Sequence, residues 1–408
     1  MVQGNWCRIA GETELKGDQM RMRLRIPQVK PEIYREPEVC PYEGCGGRHF
    51  KVHEHRCPKP LRDPKHDLVI AKRLDCVRCG RSFRVYPQGV TRANQSQALC
   101  GLSVFLYVLG LSYGGVADLL EAFSCPLGKT RVYYNVQAAG KRAIELREAW
   151  LKVHRGPVRV MAADLTRVQC QGDQLVVGVV VDDESGVELS VDVLDGEDAA
   201  TLEKWLKDIA KALGAEVLVS DDADAFKIVA DNLGLGHQVC RAHVNRHVME
   251  RIAEFGERAL DEARALPAGL VVNREQLLDD LVDIEEIVLA QPHNGVARLE
   301  QIHRRYAEAE PPREGGKASM WYQLRLWTLD IWNNFDRFRL YRSWRGDEGE
   351  RMDGTSNSVE RAIGWWVKER YRTMRGYKRK DSVRNVSSLL GWLGGRQSDY
   401  DLATLLSK

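Results

Sequence analysis

EVLVSDDADAF, residues 216–226, joins an apolar run to a cluster of acids. Val217 to Val219 stop at the adjacent Asp221 and Asp222, and Asp224 follows two residues on. Like charges this close repel, and a carboxylate beside an apolar core is costly to desolvate. A short buried strand running through acids into a helix is an α/β unit. In open α/β sheets, ligands gather at the carboxyl ends of strands. A divalent cation at this place would relieve the repulsion. Asp222 suits the N-cap of a helix beginning at Ala223, and Asp224 suits its first turn, facing the helix dipole. Asp221 is then left for a metal, with the swap of Asp221 and Asp222 open.

Upstream, VRVMAAD (158–164) and LVVGVVV (175–181) read as strands, and residues 182–186 as a turn. VELSVDV (187–193) alternates, with Val187, Leu189, Val191 and Val193 on one face. Helix AATLEKWLKDIAKAL (199–213), strand EVLVS (216–220), helix ADAFKIVADNLG (223–234) and short strand HQVC (237–240) complete the order β-β-β-α-β-α-β. A hairpin meander followed by α/β units predicts a mixed sheet with helices on its faces. Asp164 is expected to end the first strand and Asp221 the fourth. A long crossover lets these strands lie parallel and adjacent, about 4.8 Å apart. Two carboxylates there could share a hard cation such as Mg²⁺, which takes one or two protein carboxylates and completes its shell with other oxygens.

The 408 residues exceed one small core, so two to four domains are expected. With 44% apolar and 29% charged residues, the composition is that of an ordinary soluble protein. The net charge of +2 does not announce a nucleic-acid partner, but the basic residues are clustered. No apolar stretch reaches the length of a membrane span, and the N-terminus lacks the apolar stretch of a signal peptide. A cytoplasmic, nucleoid-associated protein with no membrane partner is expected, its ten cysteines serving as thiols or metal ligands.

Six regions follow from the changes of pattern. Residues 1–35 read as a basic flexible arm, 36–90 as a stapled cysteine module and 91–155 as helices. Residues 156–243 form the first part of the α/β core. Residues 244–352 form a Trp-rich helical insertion with a break near PPREGG (311–316), its Trp residues expected mainly in a core. Residues 353–408 resume as helix with a basic C-terminal region, and the resemblance named below implies that they are the second part of the core.

In the cysteine module, Cys40-x4-Cys45 and Cys76-x2-Cys79 lie about thirty residues apart near tight turns, the pattern of a zinc ribbon holding one structural Zn²⁺. His49, His53, His55 and Cys57 lie between and could substitute for a ligand. Its many Lys and Arg residues suit contact with DNA. LSYGGVADLLEAFSCPLGKTRVYYNV (111–136) resembles a helix-turn-helix with Lys129, Thr130 and Arg131 at the start of the recognition helix, where side chains reach base edges.

The third acid lies in GTSNSVERAIGWWVKERYRTMRGYKRKDSVRN (354–385), which places Glu360 near a helix start behind Ser and Asn caps. Arg361, Lys368, Arg370, Arg372, Arg375, Lys378, Arg379 and Lys380 follow, with Glu369 opposing. Arg361 and Lys368 are seven apart, two turns of an α-helix, hence on one face. A one-sided basic helix beside acids suits a phosphate backbone.

Two strand-end aspartates and T-S-N-S-V-E-R on a late helix resemble the acidic triad of DDE transposases from bacterial insertion sequences. QVCRAHVNRHV (238–248) is similar to the Cys-x-x-His motif of Mutator-like and hAT-like members, which also carry a helical insertion before the glutamate. The resemblance spans about residues 90–395. It implies a multidomain α/β protein: a ribonuclease H-like mixed sheet with an all-α insertion, preceded by the zinc ribbon and the helix-turn-helix. It also implies Asp164, Asp221 and Glu360 as catalytic ligands of two Mg²⁺ or Mn²⁺ ions about 3.5–4 Å apart. The activity implied is cleavage of element ends by water and joining to target DNA by the 3′-hydroxyl, without a covalent protein intermediate. Arg361, Lys368 and Arg370 would bind phosphate. The partners would be double-stranded DNA, both terminal inverted repeats and target, and a second copy of the chain in a homodimer or higher oligomer. Two ligands cannot close a tetrahedral zinc site, so Cys240 and His243 are expected to be a structural motif at the edge of the core. A transposase-derived DNA-binding regulator and a ribonuclease H-like structure-specific nuclease are the competing readings.

Overall fold

A computed structural model describes residues 26–153, 158–262, 270–347, 349–372, 376–394 and 405–406. Most of the expected basic arm, residues 1–25, and Arg375 lie outside the described residues. The chain begins with strands β1 (Lys30–Tyr34), β2 (Phe50–Pro60), β3 (Leu68–Cys76), β4 (Ser82–Val85) and β5 (Pro87–Gln88). β2, β3 and β4 form an antiparallel sheet, and β1 pairs with β5. The end of the expected arm is therefore structured. Five residues are too few to display a period, and β1 is fixed by distant contacts such as the Tyr34 hydroxyl donating to the Ile70 carbonyl at 2.8 Å.

Three helices follow: α1 (Gln97–Val108), α2 (Tyr113–Ala122) and α3 (Lys129–Val153). Ser96 and Ser112 cap the first two, accepting from the amides of Leu99 and Gly115 at 3.0 and 2.9 Å. Next come β6 (Val160–Cys170), β7 (Asp173–Asp182), β8 (Glu188–Leu194), α4 (Ala199–Leu213), β9 (Val217–Ser220), α5 (Asp224–Leu233) and β10 (Gly236–Val239). This is the order read from the sequence. The sheet runs β10-β9-β6-β7-β8, with β10, β9 and β6 parallel and the β6-β7-β8 meander antiparallel. Gln171 and Gly172, both at positive φ, make the two-residue turn of the β6-β7 hairpin.

Alternation along each strand sends neighbouring residues to opposite faces. Met161, Ala163 and Leu218 point to one face and are covered by Leu202 and Leu206 of α4 and Phe226 and Val229 of α5. Each of the larger of these buried side chains, Met161, Leu202, Leu206, Leu218, Phe226 and Val229, contributes about 1.5–3 kcal/mol. Val160, Ala162, Val217 and Val219 point to the other face, into a core shared with α1, α2, α3 and the last helices of the chain. The helices before the sheet are thus one body with it. Gly140 of α3 lies so close to the backbone of Asn385 that a Cβ would collide with that residue's carbonyl. Arg147 of α3 forms a buried ion pair with Glu188 of β8.

The insertion consists of α6 (Arg241–Glu262), α7 (Arg274–Ala290), α8 (Gly295–Arg305) and α9 (Met320–Ser343), with its own apolar core. Trp321 is fully buried there, Trp327 and Trp332 pack against it, and Trp344 packs on the sheet's core instead. The chain then returns through α10 (Asn357–Ala362), a π-helical turn at Ile363–Lys368, α11 (Glu369–Arg372) and α12 (Lys380–Gly394). Among the described residues, no helix is long and apolar enough to cross a membrane.

Candidate active site

The register of the parallel strands places the two aspartates. Ala162 pairs with Val219, so Asp164 and Asp221 each stand two residues beyond the last pair of this parallel ladder, on neighbouring stretches of chain. Both share the parity of Ala162 and Val219, so they project to the face where Val359 and Ala362 of α10 are buried. A slip of one residue would turn either carboxylate to the opposite face. Asp164 does not end its strand, as the sequence suggested. β6 continues to Cys170 as one arm of the hairpin, and only its parallel pairing with β9 stops before Asp164.

Asp164 is half-buried, and its backbone neighbour Leu165 donates an amide to Oδ1 at 2.7 Å. Burial pushes its carboxyl up to about 6, and the negative charges of Asp221 and Glu360 push the same way, against that amide and the His243 imidazole. The charges of Asp221 and Glu360 are therefore felt at Asp164. Asp221 Oδ1 accepts from the amide of Ala223 at 3.2 Å and braces the turn into α5. The N-cap residue is Ala223, without a side-chain cap, and Asp222 instead pairs with Lys227 Nζ at 2.9 Å. The expected capping role of Asp222 is therefore corrected. A lysine one turn into the helix satisfies it, and Asp224 meets the same Nζ at 3.2 Å.

Glu360 lies in the first turn of α10. Ser356, expected to cap this helix, spends its hydroxyl on Glu360 Oε1 at 2.6 Å, while its amide donates to Cys240 Sγ at 3.2 Å. His243 Nδ1 lies 3.7 Å from Glu360 Oε1. The Cys-x-x-His motif thus touches the glutamate directly, rather than serving only the edge of the core. Burial alone would raise the Cys240 thiol, but His243 and Ser356 outweigh it and bring it down to about 7. Contact with Cys240 raises His243, against desolvation. Ligand atoms of Cys240, His243 and Glu360 all lie within 4.8 Å of one another; those of Asp164, Asp221 and Glu360 are not gathered so tightly. The donor set of the three acids is nonetheless hard oxygen with mutual repulsion, which fits Mg²⁺ or Mn²⁺.

Asp183 escaped the sequence reading, which left it in a turn. It accepts from the Ser358 hydroxyl at 2.7 Å and thereby pins the start of α10 to the end of β7. Burial pushes its carboxyl up to about 6 despite that bond. The signal was faint, an acid after an apolar strand, and its partner lies 175 residues away.

The basic residues divide. Lys129, Thr130 and Arg131 are exposed in the first turn of α3, and Arg131 lines a cavity of about 220 Å³ with Arg62, Asn94 and Gln95. Arg361 and Lys368 are exposed. The wide i→i+5 turn between them breaks the two-turn spacing that would align them on one face. Arg370 is buried, stacked 4.1 Å from the Tyr107 ring and donating to the carbonyls of Gly110 and Leu111 at 3.3 and 3.0 Å. The expectation that it binds phosphate is corrected: it ties α11 to the α1–α2 turn.

Cys40, Cys45, Cys76 and Cys79 converge, all four sulfurs within 4.8 Å of one another. Cys40 and Cys79 are 3.8 Å apart and Cys45 and Cys76 3.7 Å. A tetrahedron with Zn–S bonds of about 2.3 Å has edges of about 3.8 Å. The four thiols could therefore hold one zinc ion with little movement. His53 is instead engaged by Asp75 at 2.9 Å, and Cys57 by Glu54 at 3.1 Å.

No protein-family model matches the chain, and no curated protein does. Among solved structures it is similar to the HTLV-2 integrase catalytic core domain, solved in complex with magnesium, at 17% identity and TM-score 0.19, over 31% of this chain and 84% of that one. It is also similar to the catalytic core domain of BIV integrase, at 13% identity and TM-score 0.18, over 42% of this chain and 96% of that one. The simian T-cell lymphotropic virus intasome matches at 13% identity and TM-score 0.19, over 46% of this chain and 67% of that one. Each likeness is loose and covers less than half of this chain.

Proposed function

We propose that this chain is a metal-dependent polynucleotidyl transferase with a ribonuclease H-like core, acting as a DDE transposase on the ends of a DNA element. The observation that carries this is the placement of Asp164 within β6, Asp221 just after the neighbouring β9 and Glu360 on the returning helix, near enough that the charges of the latter two raise the Asp164 carboxyl. In this reading the three carboxylates hold Mg²⁺ or Mn²⁺. When bound, such ions activate an oxygen nucleophile and stabilise the leaving oxygen of a phosphodiester. Ser356 and His243 fix the Glu360 carboxylate, and Asp183 seats its helix through Ser358. Lys129, Thr130 and Arg131 read the element's ends from the exposed start of α3, while Arg361 and Lys368 meet backbone phosphate on separate faces. The four-cysteine module holds zinc as a structural staple. Pairing two DNA ends calls for at least a dimer.

The test is incubation of the full chain with Mn²⁺ and DNA carrying the ends of its own element. End-specific cleavage followed by joining is the expected result, and Glu360→Gln should abolish both while leaving DNA binding intact. Binding without cleavage in any divalent metal overturns the proposal in favour of a regulator. Cleavage of branched DNA regardless of sequence overturns it in favour of a nuclease.

A further inference from the structure

A second group of ligands sits beside the three acids and differs from them in chemistry. Cys240 follows β10, His243 lies in the first turn of α6, and Glu360 comes from α10. Three elements distant in sequence thus bring one sulfur, one imidazole nitrogen and one carboxylate oxygen within 4.8 Å of one another. This mixture suits zinc better than magnesium, which prefers an all-oxygen shell. Three protein ligands leave one position of a tetrahedron open.

The surroundings are arranged as they would be around bound zinc. Ser356 serves two ligands at once, its amide donating to Cys240 Sγ at 3.2 Å and its hydroxyl to Glu360 Oε1 at 2.6 Å. Outer hydrogen bonds of this kind orient metal ligands and tune their charge. Buried His243 Nδ1 has no well-formed hydrogen bond, although it lies 3.7 Å from Glu360 Oε1. Once deprotonated, that nitrogen offers its lone pair to a cation beside Cys240 and Glu360. Tetrahedral zinc with these ligands needs donor separations of about 3.3–3.8 Å; the three donors lie within 4.8 Å of one another, with His243 to Glu360 at 3.7 Å.

We propose that Cys240, His243 and Glu360 form a second zinc site, separate from the four-cysteine cluster. On binding, the Cys240 thiol proton is released to solvent and the sulfur ligates as thiolate. Zinc held there engages Glu360. Its inhibitory consequence rests on the proposed function, in which Glu360 serves the magnesium or manganese ions, whereas the site itself does not. Occupation by zinc would withdraw Glu360 from that task, so zinc would act as a brake on the transferase.

The experiment uses the full chain, expressed with zinc and passed through gel filtration to remove loose metal, with zinc per chain measured by plasma mass spectrometry. The wild type should retain about two zinc ions and His243→Gln about one, since the four-cysteine site is untouched. Because Cys240 is fully buried, partly exposed His243 is the better primary variant; Glu360→Gln, also about one, is the second. A wild type holding one zinc, or a His243→Gln protein still holding two, overturns the site. In Mn²⁺-driven cleavage, the wild type holding two zinc ions should be at least tenfold less active than the same protein after a mild chelator has removed the second ion, and adding zinc back should restore the inhibition. Two zinc ions without cleavage in any metal, even after the chelator, would uphold the site and overturn the transferase. Cleavage insensitive to zinc, with one ion bound, would do the reverse.

Discussion

Replacing Asp164 by Asn should destroy activity and yet stabilise the protein when no divalent cation is added. The carboxyl is raised from 3.8 to about 6, chiefly by burial and then by Asp221 and Glu360. Two units at 1.36 kcal/mol each are close to 3 kcal/mol of destabilisation when the group is ionised. Asn keeps an oxygen for the Leu165 amide, which donates to Asp164 at 2.7 Å, and removes the charge. The sign with pH follows from linkage. A carboxyl with a raised folded pKa favours the folded state when protonated, below the unfolded value near 3.8, and that advantage is lost as pH rises to about 6. The gain from Asp164→Asn should therefore be small at pH 4 and full at pH 8, about 2–3 kcal/mol or roughly 3 °C in Tm. Thermal unfolding of both proteins at the two pH values, with zinc kept and no Mg²⁺ or Mn²⁺ added, measures it. Adding Mg²⁺ at a hundred times its Kd should stabilise the wild type by about 2.7 kcal/mol and remove the difference. A mutant no more stable than wild type at pH 8, or one whose gain is the same at pH 4, would refute the electrostatic reasoning.

Other substitutions separate the remaining roles. Cys76→Ser should release the zinc of the four-cysteine site and expose residues 36–90 to limited proteolysis, with zinc content and cleavage pattern as readouts. Gly140→Val should lower Tm by an amount corresponding to at least about 2 kcal/mol, because its side chain would meet the Asn385 backbone. Arg370→Met should destabilise the fold by about 2–4 kcal/mol, through the lost stacking on Tyr107 and its orphaned carbonyl partners, while leaving the salt dependence of DNA binding unchanged. Arg361→Ala should do the opposite, reducing the slope of log K against log salt by about 1 with stability intact, as measured by fluorescence anisotropy.

Much of the α/β core was legible because strand and helix periods are local. LVVGVVV and VELSVDV announce their own conformation, and the acid doublet after EVLVS marks a strand end. What lay hidden depends on partners far along the chain. TRVQC looks too polar to prolong β6, yet the hairpin with β7 carries it to Cys170. Asp222 reads as a cap until Lys227 is seen beside it. Arg370 belongs to a basic run, and only the fold reveals Tyr107 and two carbonyls waiting for it. The π-helical turn that separates Arg361 from Lys368 has no local spelling in IGWWVK. At the site, sequence spacing grouped Cys240 with His243, but placing Ser356 and Glu360 against them required the return of the chain after a helical insertion of more than a hundred residues.

The most direct measurement is Mn²⁺ anomalous scattering from crystals of the full chain grown with its DNA end. Density bridging the Asp164 and Asp221 carboxylates, with Glu360 in the same coordination sphere, is the predicted result. Manganese bound elsewhere, with Asp164 and Asp221 making no contact to it, would contradict the proposed catalytic centre.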